Sequence, residues 1–330
     1  MTDFYNIAAD SRPIRAMDRD IVIVNIDRTS REDVIDVLEL LSMMNPAAVG
    51  VDVTFNQPHD SASNSRLLDA IDALPNAVLA VGVGHTDESR NRFLVDDYSF
   101  FYTSKNDFRY GVVNLPSKFD GGTIREFPLR FVTDGGDTLR SMVAELASIV
   151  APGAVDTLME RGSEMETIDF PSRTFEVINW MELPDKPDAV NGKIVFVGAV
   201  NEYGDMHRTP VADSMSGVMV HAHALSTLLR GAYYYSVPRW LNITIAFCLC
   251  FLFAFINLAI NKPFKGLVLR IIQVLILYAI IRIGYSLFVD HRTIVDFSFS
   301  LLMLTFALFA CDMWIGTSYL IEKTLNKFKK

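Results

Sequence analysis

Four residues with the chemistry of metal ligands fall within a single stretch. Asp205, His207, His221 and His223 all lie in "GDMHRTPVADSMSGVMVHAH", which holds half of the chain's six histidines. A carboxylate and three imidazoles can bind a divalent cation. The spacing argues against it. On a helix, positions two apart differ by about 200° and cannot share a face. On a strand His221 and His223 would share one. No HExxH pattern and no cysteine supports them. The sequence therefore points to polar packing, with no metal and no cofactor.

A second set follows from topology. In an open parallel sheet, ligands bind beyond the carboxyl ends of the strands. Asp27 follows the apolar run "DIVIVNID", and Asp52 sits in "AAVGVDVTF". Asn201 and Asp205 follow "KIVFVGAV". These four would line one acidic crevice, with His207 at its rim, and a cation or an amine would suit it. The alternative is that Asp27 and Asp52 bind loop amides and only hold the fold. No catalytic residue is assigned. There is no GxxxxGK[ST] loop and no GxSxG elbow. "VGVG" lacks the third glycine and the helix start of a dinucleotide site.

The crevice needs strands and helices to build it. Ser30 followed by Asp33 predicts a helix start. "REDVIDVLELLSMM" then places Val34, Val37, Leu38 and Leu41 on one face, and Pro46 closes the segment. "SNSRLLDAIDAL" predicts a second helix and "NAVLAVGVG" a third strand. This alternation predicts an α/β fold with a mostly parallel sheet and flanking helices. "YGVVNL" and "TIREFPLRF" flank "PSKFDGG", which predicts an inserted antiparallel hairpin. "DTLRSMVAELASIV" and "GVMVHAHALSTLLRG" read as helices, the latter leading towards a membrane.

Three apolar blocks follow, at about 240–260, 267–289 and 298–320. The first carries no charge and is long enough for a ~30 Å hydrocarbon core. The second carries Arg270 and Arg282, the third Asp312. All three are expected to be transmembrane; helices of a soluble core are the alternative. Intramembrane charges are costly and often functional. Arg282 and Asp312 would differ in depth by about 10 Å, long for a pair. Arg270 lies near an end, where snorkelling explains it.

Charge divides the chain at the same place. Residues 1–238 carry a net −15 and residues 239–330 a net +6. An acidic domain beside a basic membrane region argues against a nucleic-acid partner. Lys262 and Lys265 lie between the first two blocks, and Lys323, Lys327, Lys329 and Lys330 end the chain. The positive-inside rule places both in the cytoplasm and the acidic domain outside. "YYYSVPRW" (Tyr233, Tyr234, Tyr235, Trp240) would form an aromatic belt. Export of the domain implies an upstream membrane helix, since "MTDFYNIAADSRPIRAMDRD" is no signal peptide; the alternative is the reversed orientation. All three cysteines lie in the apolar blocks, so the acidic domain has no disulfide.

"DIVIVNIDRTS", "NPAAVGVDVTFNQP", "YGVVNLPSKFDGGTIREFPLRF", "NGKIVFVGAVNEYGDMHRTPV" and "SGVMVHAHALSTLLRG" occur in this order over about 18–235. Together they resemble the CHASE-type sensory domain of the second type, an extracellular sensor of bacterial signalling proteins. The resemblance implies an extracytoplasmic domain at the bacterial inner membrane, without catalytic residues and with an undefined ligand. Family members usually carry an output domain after the last membrane helix. Here the tail is about ten residues, too short to fold as one. The expected organisation is a sensory domain over 1–236 and a membrane region over 237–330. The expected function is binding of an unknown small ligand, with the signal read by a membrane or signalling protein partner. The alternative is an accessory subunit of a membrane assembly.

Overall fold

The computed structural model describes residues 9, 16–74, 76–87, 92–102, 107–115, 122–162, 164–170, 173–259 and 265–328. The chain divides into two compact units, Met1–Tyr233 and Tyr234–Lys330.

The first unit opens with β1 (Ala16–Asn25), α1 (Arg31–Met43), β2 (Ala48–Val51), α2 (Ser61–Asp72) and β3 (Ala77–Asp87). Then come β4 (Arg92–Asp97), β5 (Arg109–Val112), β6 (Glu126–Pro128), β7 (Arg130–Val132) and β8 (Thr138–Arg140). Helices α3 (Met142–Val150) and α4 (Pro152–Glu160) precede β9 (Met165–Thr167) and β10 (Arg173–Asn179). β11 (Ile194–Gly198), β12 (Met206–His207), β13 (Met215–Ser216) and α5 (Gly217–Leu229) complete it.

The central sheet has the order β10-β1-β11-β2-β3. All four of these pairings are parallel. β3 continues the sheet with β5 in parallel along Val78–Val81 and with β4 antiparallel from Gly82 to Asp87. A parallel sheet covered on both faces needs strands that are apolar throughout. In β1, Ile21, Val22, Ile23 and Val24 are all at most 1% exposed. Successive residues turn to opposite faces. Ile21 and Ile23 pack with α3 and α5 through Leu146, Val220 and Leu225. Val22 and Val24 pack with α1 and α2 through Leu38, Leu41 and Leu67. Full burial of each such side chain contributes roughly 1.5–3 kcal/mol.

Helix α1 starts as its sequence predicts. Ser30 accepts from the Asp33 amide, the Asp33 carboxylate accepts from the Ser30 amide, and Val34, Val37, Leu38 and Leu41 are buried. Two other expectations are corrected. The strand in "YGVVNL" does not form a hairpin with "TIREFPLRF". It is β5, and it pairs in parallel with β3. The latter segment forms β6 and β7, which pair antiparallel with β9 and β8. The turn at 116–121 lies outside the described residues. The reason for β5's placement is a close approach. A Cβ on Gly111 would lie 2.4 Å from the Met142 Cα, so α3 can seat on β5 only at a glycine. Among the described residues, the consecutive strands that pair antiparallel are β3–β4, β7–β8 and β12–β13. The helix expected from Asp137 begins at Met142, because Thr138–Arg140 pairs as β8 and Ser141 is the N-cap.

The second unit holds β14 (Tyr235–Ser236), α6 (Arg239–Ala259), α7 (Lys265–His291), β15 (Thr293–Ile294) and α8 (Ser298–Phe328). β14 pairs in parallel with β15. Phe253, Leu269, Ile280 and Leu304 form its core. Gln273 of α7 donates to the Leu304 carbonyl of α8 at 2.9 Å. Among the described residues two helices, not the expected three, are long and apolar enough to cross a membrane: Arg239–Ile256 and Val268–His291. In α8 the apolar stretch among the described residues is Ser298–Ala307. In the sequence Leu308, Phe309, Ala310 and Cys311 continue it up to Asp312. Arg270 and Arg282 are both exposed on α7, and Arg282 lies 5.7 Å from the Tyr285 ring centre. Lys262 and the side chains of Lys265 and Asp312 lie outside the described residues. Of the four residues expected to form an aromatic belt, two are exposed and two are not. Tyr235 and Trp240 are exposed, whereas Tyr233 and Tyr234 are buried. The Tyr233 hydroxyl donates to the Leu228 carbonyl inside the first unit.

Candidate functional site: a cavity at the carboxyl ends of the strands

A cavity of about 1190 Å³ opens where β1, β11 and β2 end. Asp27, Asp52, Asn201 and Asp205 all line it, as their places after strands predict. The structure assigns them different work.

Asp27 closes the gap between the ends of β1 and β11. Its Oδ1 accepts from the backbone amides of Val200 (2.8 Å) and Asn201 (2.9 Å). Its Oδ2 accepts from the side-chain amides of Asn201 (2.6 Å) and Asn25 (3.0 Å). Burial favours the protonated acid, but these four donors together outweigh it and hold the carboxyl below the usual range. Asn201 is tied up in the same lock.

Asp52 differs. Among the described residues no hydrogen bond or ion pair reaches its carboxyl, which is half-buried in the cavity wall. Burial pushes its pKa up to about 7, with Asp205 and Glu202 raising it further and His207 opposing. Near neutral pH this carboxyl can be either an acid or a carboxylate, and it has no internal partner in either form.

Asp205 faces two ways. It lines the cavity, and its Oδ2 accepts from the Gly217 amide at 3.0 Å. That amide opens helix α5, whose N-cap residue Ser216 makes no side-chain bond. Asp205 is therefore a cap supplied from a remote position, and its negative charge favours the helix N-terminus. A Cβ on Gly217 would lie 2.5 Å from both carboxylate oxygens, so only glycine admits it. His207 Nε2 sits 3.1 Å from Asp205 Oδ1 and does not itself line the cavity.

His221 and His223 stand on helix α5, on different sides, as the helical reading of the spacing requires. His221 is near Asp205 and His207 and hydrogen-bonds to the Val113 backbone; burial pushes it down to about 4. His223 packs between Phe170 and Phe175 at 5.0 and 4.9 Å and is likewise pushed down to about 4, by burial first and then Arg230. Among the described residues no group of three or more His, Cys, Asp and Glu is placed to hold a metal.

Several lining residues escaped the sequence reading. Arg28, at a left-handed φ of 57°, and Arg31 come from the loop and helix start after β1. Thr54 and Gln57 follow β2, Asp97 ends β4, and Glu202 precedes Asp205. The signal was available, since a residue directly after a parallel strand stands at the ligand-binding edge. Arg31 is engaged. It donates to the Gln57 carbonyl and Asn64 Oδ1, both at 2.7 Å, and lies 5.4 Å from the Phe100 ring centre.

A doubly covered parallel sheet with its cavity at the carboxyl edge precedes a segment rich in membrane-length helices. A family model described as the CHASE2 domain matches residues 3–256. The chain belongs to the CHASE2 domain family. CHASE2 domains are extracellular sensory domains. The match takes in the whole cavity and most of α6. Neither the curated proteins nor the solved structures contain a match to the chain. A sensory domain needs a binding site rather than reacting groups, and the CHASE2 cavity of this chain offers polar side chains around an open space.

Proposed function

We propose that this chain is a membrane-anchored extracytoplasmic sensor. Its CHASE2 domain binds a small ligand carrying a positively charged nitrogen in the cavity, and a partner protein reads the result. The observation that carries the reading is Asp52, a carboxyl in a cavity wall with no hydrogen-bond or ion-pair partner among the described residues. An ammonium group would hydrogen-bond to its carboxylate form and stabilise the charge. Helices α6 and α7 supply the anchor. Lys262 and Lys265 in the connection between them favour the cytoplasm, which places the domain outside.

The test is a thermal melt of the full chain in detergent micelles against a panel of small amines. A saturable rise in melting temperature that Asp52→Asn abolishes is expected. No response to any amine, amino acids included, sinks the cavity reading. Sidedness is measured separately, with a reporter inserted at 260–264; activity outside the cytoplasm would reverse the topology. The side on which the lysine-rich tail ends depends on whether α8 also crosses. A C-terminal reporter reads it, and cytoplasmic activity is the outcome the lysines favour. The second reading, an accessory subunit of a membrane assembly, draws on the exposed apolar residues of α7 such as Ile271, Val274 and Leu275. Co-purification of a stoichiometric membrane partner with no ligand response would favour it.

A further inference from the structure

The cavity carries charge of both signs, and its unmatched charges lie on opposite flanks. Of the charged side chains that line it, Asp27, Arg31 and Asp205 are engaged in the bonds described above. Asp97 accepts weakly from Thr54 at 3.5 Å. Arg28, Asp52 and Glu202 have no hydrogen bond or ion pair among the described residues. Arg28 follows β1. Asp52 follows β2. β11 lies between the two strands and supplies Glu202 beyond its end. Adjacent strands are about 4.8 Å apart, so the β1 and β2 flanks are separated by roughly 10 Å of backbone. The unmatched cation and the unmatched acids thus face a common space from different sides without pairing with each other.

We propose that this cavity is built for a small zwitterion of amino-acid or dipeptide size, whose ammonium group meets Asp52 and Glu202 and whose carboxylate meets Arg28. The inference rests on the cavity reading above and narrows its ligand class. A simple amine leaves Arg28 unmatched. A polyamine brings further positive charge against Arg28 and Arg31. An anion meets Asp52, Glu202 and Asp97 at close range. A zwitterion satisfies both flanks, and charge-assisted hydrogen bonds at each end would fix its direction. The volume of about 1190 Å³ leaves room for a side chain beyond the charged atoms.

The experiment measures binding to the full chain in detergent micelles by calorimetry. The probes are the twenty standard amino acids, 4-aminobutyrate and glycylglycine. For each one that binds, the amine lacking the carboxylate and the acid lacking the amine are measured too. The expected result is saturable binding of at least one zwitterion, with each half-molecule weaker by about tenfold or more. Arg28→Gln should weaken the zwitterion by about tenfold without weakening the amine. Asp52→Asn should weaken both. If the amine binds as tightly as the zwitterion and Arg28→Gln changes neither, the zwitterion proposal falls and the cavity reading stands. If no zwitterion and no amine binds, both fall. Binding that survives Asp52→Asn and Arg28→Gln alike places the ligand elsewhere and overturns the proposal.

Discussion

His221 and His223 are two residues apart on one helix, equally buried and equally held neutral, yet they look into different worlds. His221 faces the side of the cavity, where Asp205 caps the helix and Asp52 has no hydrogen-bond partner among the described residues. His223 faces a closed network. There Asp18 accepts from Ser226 Oγ at 2.6 Å, the Asp169 amide donates to Thr227 Oγ1 at 3.0 Å, and Arg230 stands 3.7 Å from the Asp169 carboxylate. Arg230 also donates from Nε to the Ser226 carbonyl. The difference teaches that burial and a shifted pKa do not mark a site. What marks it is charge left over beside open space. The closed side holds the C-terminal end of α5; the open side borders the cavity.

The largest effect should come from breaking the closed side. Arg230→Ala removes the cation that stands 3.7 Å from the carboxylate of Asp169, a residue 1% exposed. Removing one member of a buried pair costs roughly 3–5 kcal/mol, more than the pair itself contributes. The full chain in micelles should melt well below the native protein. A drop smaller than that of any open-side variant would reverse the contrast drawn here.

Asp205→Ala should come next. It removes the remote cap of α5 and the partner of His207, at a cost of about 1–2 kcal/mol. Amide exchange should rise in the first turn of α5 and little elsewhere. Unchanged protection there would mean that the contact to Gly217 does not hold the helix.

Asp52→Asn should stabilise, and only above mildly acidic pH. The folded protein keeps this carboxyl protonated up to about 7, whereas the unfolded chain ionises near 3.8. Between those values the native state binds more protons, so Asp52 lowers stability as pH rises from about 4 to 7. Asparagine removes that dependence. The variant should exceed the native protein at pH 8, by no more than the roughly 4 kcal/mol that the full shift carries, and nearly match it at pH 4. The histidines act in the opposite direction: held neutral when folded, they remove stability as pH falls from 6.5 towards about 4. A gain at pH 8 that persists unchanged at pH 4 would come from something other than ionisation of Asp52.

The two sides were unequally legible in the sequence. The β1–α1–β2–α2–β3 start was readable because its signals are local: apolar runs, a capping box, a proline after the helix. The carboxyl-edge rule then collected Asp27, Asp52, Asn201 and Asp205 into one cavity. It could not tell which acid was spare. That depends on Val200 and Asn201 reaching Asp27 across more than 170 residues of chain. The partner of β5 was misread for a similar reason, since Gly111 is required by Met142, not by its own neighbours. The closed network went unseen because Asp18 and Ser226 come from opposite ends of the domain.

Arg28→Gln is the smallest expected change in stability and the sharpest test of the contrast. Arg28 is exposed, makes no hydrogen bond or ion pair among the described residues, and already holds a left-handed backbone that glutamine tolerates no worse. Exposed substitutions away from caps and cores change stability by within about 0.5 kcal/mol. The melting temperature without ligand should therefore be that of the native protein. If the open side exists for binding, only the ligand response should move. Arg28→Gln should lose the added stabilisation given by a zwitterion and keep that given by the matching amine. A variant that melts several degrees lower without ligand would show that Arg28 holds its loop, and the open side would then be as structural as the closed one.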